Sequence, residues 1–154
     1  MALGDNTLRS AAGNSQRGRN PYMVQTTLNW ATALSDKGSA LAAADVIPVI
    51  AVPKGTMVLN AGIEVDTATD GSTFTVDLGM VDADVFVDGF DATSAAAVVA
   101  QNPAAYQPVM AVADDNIDVT IASLSGGAVT SGKFRIWAVL MDCTDIGDTA
   151  FAVA

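Results

Sequence analysis

Residues 132–141 read Gly132-Lys133-Phe134-Arg135-Ile136-Trp137-Ala138-Val139-Leu140-Met141, and their alternation decides the fold class. Phe134, Ile136, Ala138 and Leu140 alternate with Arg135, Trp137, Val139 and Met141, and a period of two puts successive side chains on opposite faces of a strand. In the later half both sets are apolar, so one face should fill a core and the other should also be covered, by neighbouring strands or by a second subunit. Trp137, Val139 and Met141 are therefore the candidate oligomer-interface residues. The segment is expected to be the longest strand of the domain and central in its sheet.

Working outward, the same period recurs. Thr73 to Leu78 sets Phe74, Val76 and Leu78 against Thr73, Thr75 and Asp77, a strand with one buried face. Pro108 to Ile121 reads as a hairpin, with Val109–Ala113 and Ile117–Ile121 flanking the acidic loop Asp114-Asp115-Asn116. Tyr22 to Trp30, Met57 to Val65 and Val85 to Val87 read as further strands. Val46 to Val52 contains Pro48, which lacks an amide donor and so suits an edge strand or a bulge. Ala31 to Ala44 is compatible with a short helix or an ordered connection, and Thr93 to Gln101 allows one short helix. About eight short strands separated by turn signals, with no fixed-period repeat, give an all-β domain. Its form is a β-sandwich, with a jelly roll as the named candidate, carrying at most one or two short helices.

Composition supports this class and removes others. The acidic residues are sixteen Asp and Glu64 alone, and Asp favours turns and caps where Glu favours helices. The 154 residues hold no His, one Cys and a net charge of −10. His-based triads and Cys/His zinc sites are thereby excluded, and general nucleic-acid binding is disfavoured by charge. No apolar run approaches the length of a membrane span, and the first ten residues lack the apolar stretch of a secretory leader. Mean hydropathy of +0.37 is high for so acidic a chain, which points to apolar surface covered by other subunits. Residues 1–20, with Arg9, Arg17 and Arg19 against Asp5, are expected to be an extended basic arm ahead of a sandwich domain at 21–154. The three arginines are the candidate partner-binding residues.

The sequence holds few groupings of chemically active residues. Asp82-Ala83-Asp84 and Asp114-Asp115-Asn116-Ile117-Asp118 gather oxygen ligands, yet Val119 stands where a calcium loop needs Gly and Ser125 where it needs a bidentate Glu. No metal site is assigned. Phosphate-cradling and nucleophile-elbow motifs are missing, and Cys143 lacks a His to activate it. No catalytic residue and no cofactor are expected. Tyr22, Trp30, Tyr106 and Trp137 are read as surface aromatics that could line a sugar or a partner, or else pack at the core or its rim.

Several stretches resemble small virion structural proteins of tailed bacteriophages. They are Ala43-Ala44-Asp45-Val46-Ile47-Pro48-Val49-Ile50, Val52-Pro53-Lys54-Gly55-Thr56, Ser72-x-Phe74-x-Val76-Asp77-Leu78-Gly79, Asp82-Ala83-Asp84 and Gly132 to Ile136 near Asp142. The likeness covers roughly residues 43–142 and is greatest to head decoration, or cement, proteins. It implies a non-enzymatic jelly-roll or related sandwich module, a homo-oligomer expected to be a trimer, located on the capsid surface with the major capsid protein as partner. Residues 1–20 would then lie along the shell or a neighbouring copy, with Arg9, Arg17 and Arg19 pairing acidic groups. The alternative is a tail, neck or head-fibre component that binds a host surface glycan.

Overall fold

The computed structural model describes residues 20–94, 98–100 and 108–143. In chain order these form β1 (Tyr22–Asn29), α1 (Trp30–Lys37), β2 (Val46–Val52), β3 (Thr56–Thr67), β4 (Thr73–Gly79), β5 (Val87–Asp91), β6 (Val98–Ala100), β7 (Val109–Met110), β8 (Asp115–Ser125) and β9 (Lys133–Asp142). Sheet A runs β1-β9-β3-β6, with β7 also paired to β3, and sheet B runs β2-β8-β4-β5. Every pairing is antiparallel. The first half of the chain folds back on the second, β1 on β9, β2 on β8, β3 on β6 and β7, and β4 on β5. The protein is a β-sandwich.

The alternating residues explain why the two sheets close on each other. Phe134, Ile136, Ala138 and Leu140 of β9 join Ala61, Ile63 and Val65 of β3 on one inner face. Phe74, Val76 and Leu78 of β4 join Ile117, Val119 and Ile121 of β8 on the other, and none of these thirteen is more than 2% exposed. Burying each large apolar side chain contributes about 1.5–3 kcal/mol. β9 lies between β1 and β3, so its central placement holds, but β3 with 12 residues and β8 with 11 are longer than its 10. Val46–Val52 is an edge strand as expected, with a register shift between Pro48 and Ile50.

Trp30 closes one end of the core. Asn29 ends β1 and caps α1, its Oδ1 accepting from the Ala31 amide at 3.0 Å, so the alternation of β1 stops one residue before Trp30. The first helical residue then swings its indole inward, where it is fully buried and meets Phe74 edge-on at 4.8 Å and Phe134 at 5.2 Å. Gly38 ends the helix in the left-handed region at φ 69°, its amide donating to the Leu34 and Ser35 carbonyls. Ala31–Ala44 thus supplies one helix and a connection.

Three expectations are corrected here. Val109–Ala113 and Ile117–Ile121 do not form a hairpin, because Val109–Met110 pairs with β3 in sheet A while β8 lies in sheet B. Asp114 crosses between the sheets instead. The Ala111 amide donates to the Thr56 carbonyl and the Gly55 amide to the Ala111 carbonyl, each within 2.9 Å, which ties the crossing to β3. The helix allowed at Thr93–Gln101 gives way at Val98–Ala100 to strand paired with Glu64 to Gly62. The strand placed at Val85–Val87 begins at Val87 and continues through Gly89, where φ of 62° accompanies a shift in register against β4.

Candidate functional site

Residues directly opposite in an antiparallel pair share a face, so the registers define the two outer surfaces. On sheet A, Met23 lies opposite Val139, Gln25 opposite Trp137 and Thr27 opposite Arg135. Across β9, Met57 lies opposite Met141, Asn60 opposite Val139, Gly62 opposite Trp137 and Glu64 opposite Arg135. Met110 of β7 extends the row beyond Met57. Trp137, Val139 and Met141, the sequence-derived interface residues, therefore sit together on this outer face, each half-buried. Met23 is 64% and Met110 40% exposed. One ion pair crosses the face, Arg135 Nη1 donating to Glu64 Oε2 at 2.8 Å. The Asn60 Oδ1 is buried without a hydrogen-bond partner. Met23, Met57, Asn60 and Met110 escaped sequence reasoning because only the strand register brings them beside Trp137.

Sheet B presents the opposite chemistry. Its strands carry Asp77, Asp88, Asp91, Asp115 and Asp118 and no Lys or Arg. Asp77 lies opposite Thr120, and Asp91 opposite Thr75, whose hydroxyl shares a 2.7 Å hydrogen bond with Ser123. Burial pushes the Asp77 carboxyl above the usual range, aided by the charges of Asp88 and Asp84 and opposed by the Gly89 amide donating at 2.7 Å. Burial likewise raises Asp118, with Asp115 adding repulsion. Asp91 of the same sheet is instead held low by the Thr93 hydroxyl and amide.

The loop acids are tied into the scaffold. Asp70 accepts from the Thr130 hydroxyl, the Thr130 amide at 2.9 Å and the Ser131 amide at 3.2 Å, which holds its carboxyl at about 2. Asp114 accepts from the Lys54 amide at 2.9 Å, and Asp45 pairs with Lys37 at 2.5 Å. Asp82 is raised by Asp84, which shares a hydrogen bond with it and repels it. Asp82 and Asp115 line one cleft, but among the described residues no three such side chains gather to hold a metal ion. An apolar cleft lined by Met80, Val81, Val85, Val109, Met110 and Val112 opens at one end of the sandwich, beside the fully exposed Val81.

Among the aromatics, Tyr22 is exposed and Trp137 half-buried, whereas Trp30 packs in the core, the second of its two readings, and lines no surface. Tyr106 and the arginines Arg9, Arg17 and Arg19 lie outside the described residues. No helix among the described residues is long and apolar enough to cross a membrane.

No protein-family model and no curated protein matches the chain. Solved structures do. A chain of the acidic stable capsid structure of Helicobacter pylori bacteriophage KHP30 aligns with a TM-score of 0.56 at 14% identity, over 82% of this chain and 90% of that one. A chain of the capsid of Ralstonia phage GP4 aligns at 0.58 and 16% identity, over 82% and 86%. A chain of the cyanophage Pam1 capsid asymmetric unit aligns at 0.58 and 20% identity, over 91% and 97%. The likeness is one of fold: a small antiparallel sandwich occupying nearly the whole of each chain.

Proposed function

We propose that this chain is a structural protein of a phage virion that binds the capsid exterior as a decoration, or cement, protein. The observation that carries the reading is the coverage of the three capsid chains. The shared fold accounts for 86–97% of each of them, so in those particles the sandwich is almost a whole polypeptide and not a module appended to a larger one. The residue chemistry agrees, since adhesion needs complementary area and an anchoring segment, both independent of an activated nucleophile or a metal. We read the strand order, β1 to β4 folded back on β5 to β9, as that of a jelly roll.

Arg9, Arg17 and Arg19 on the arm at 1–20 supply the anchor, pairing acidic groups on the major capsid protein. Each exposed pair contributes about 0–1 kcal/mol, and repetition over many copies supplies the net strength. The test is made on particles assembled from the genome that encodes the chain. Mass spectrometry should find the chain in the head fraction at high copy number, and adding the purified full-length chain to shells lacking it should raise their rupture temperature. Deleting residues 1–20 should weaken that binding. A chain confined to the tail or fibre fraction, or missing from particles altogether, refutes the reading.

A further inference from the structure

The two broad faces of the sandwich differ in what they can meet, and this carries an inference independent of the virion reading. We propose that the outer face of sheet A is the surface through which copies of this chain associate with one another. Four of the chain's six methionines, Met23, Met57, Met110 and Met141, lie on that face with Trp137 and Val139. Methionine and tryptophan are the side chains that adapt to, and anchor, protein interfaces.

Charge selects the occupant. A chain of net charge −10 repels its own copies unless the contact excludes unpaired carboxylates. Sheet B cannot provide such a contact, because its strands hold five Asp and no basic residue. The strands of sheet A hold Glu64, Asp66 and Asp142 against Lys133 and Arg135, and the Glu64 carboxylate is matched by Arg135. That pair presents one donor and one acceptor, so a second copy brings the complement of each and the ions can exchange partners across the contact.

The area suffices. β1, β9 and β3, with 8, 10 and 12 residues, and the short β6 and β7 beside β3, at roughly 3.4 Å per residue and about 4.8 Å between strands, give a face of roughly 550 Å². Two such faces together remove roughly 1,100 Å² from water, above the roughly 1,000 Å² that a biological interface needs.

Sedimentation of the full chain over about 1–100 μM tests the inference, alongside Val139→Lys, Met23→Lys and Ala51→Lys. The wild type should sediment as an assembly of two or more 15.6 kDa chains. Each of the first two variants should weaken association roughly a hundredfold by burying an ammonium at the contact. Ala51→Lys, exposed on the sheet B side, should leave the assembly intact. Circular dichroism reports folding, and if Val139→Lys unfolds, Met23→Lys decides, since Met23 is 64% exposed and its replacement does not touch the core. A monomeric wild type at every concentration overturns the inference, as does an assembly that survives the lysine at Met23. A monomer that still binds shells overturns it while leaving the virion reading in place.

Discussion

Trp30 offers the sharpest test of how the sandwich is held together. Its indole is fully buried and makes edge-on contacts with Phe74 and Phe134, yet its Nε1 has no hydrogen-bond partner. Truncation and conservative replacement should therefore diverge. Trp30→Ala loses the whole ring, a change that costs about 3–5 kcal/mol in other cores, and with it two aromatic contacts worth about 0.5–1.5 kcal/mol each. Trp30→Phe gives up only the second ring, about 2 kcal/mol in lost burial and residual void. It also removes an unsatisfied buried donor, which returns about 1–3 kcal/mol. Trp30→Phe should accordingly lie within about 1 kcal/mol of wild type, and Trp30→Ala, which sheds the same donor, about 3–5 kcal/mol below it. Urea unfolding followed by far-UV circular dichroism measures both, at one fixed protein concentration because association shifts apparent stability. If the phenylalanine variant is nearly as unstable as the alanine variant, the indole nitrogen is satisfied in solution and the reasoning fails.

Gly132 and Gly127 have nearly the same φ, 128° and 126°, but different surroundings. A Cβ at Gly132 would lie 2.9 Å from Thr69 Cγ2 and 3.2 Å from Trp30 Cδ1, whereas at Gly127 nothing lies within 4 Å. Both alanine variants should lose about 1–3 kcal/mol to backbone strain, and Gly132→Ala should lose more, which paired thermal melts would read directly. Asp70, held at about 2 against a usual 3.8, contributes stability that is complete above about pH 4 and is lost as pH falls through 2. Thr130→Val removes its hydroxyl donor, so the urea midpoint should fall less between pH 5 and 2 than in wild type. Asp118 is displaced the other way by burial and Asp115, so its ionised form opposes folding. Asp118→Asn should raise the melting temperature at pH 7, and the gain should shrink as pH drops through the raised folded value toward 3.8.

The strands that face the core on one side and solvent or apolar cover on the other were legible, because the side-chain period of two is unambiguous in Phe74-Val76-Leu78, Ile117-Val119-Ile121 and Phe134 to Leu140. Where the pattern misled, a local signal had two physical outcomes. Asp114-Asp115-Asn116 between apolar runs turns a chain equally well within a sheet or from one sheet to the other. The choice is made by the hydrogen bonds that tie Ala111 to Gly55 and Thr56 at the start of β3, far earlier in sequence. Trp30 continues the alternation of β1 by spacing, but Asn29 as a helix cap outweighs it. The interface candidates were legible in one strand only: Trp137, Val139 and Met141 follow from β9, while Met23, Met57 and Met110 join them through pairings no local pattern encodes.

Salt separates the two kinds of adhesion drawn here. A contact between sheet A faces rests on apolar area and one ion pair already satisfied within each chain, so screening removes almost nothing from it. The contact through Arg9, Arg17 and Arg19 rests on exposed charges, whose range shrinks from about 10 Å at 0.1 M salt to about 3 Å at 1 M. Sheet B adds to the contrast, since five carboxylates without a counter-charge raise the mutual repulsion of neighbouring copies at low salt. Raising sodium chloride from about 0.1 M to about 1 M should therefore leave self-association unchanged or slightly stronger while detaching the chain from its shell. Sedimentation and shell co-pelleting across that range measure the two separately. Self-association that collapses in high salt would mean that charge, and not the methionine-rich face, holds the copies together.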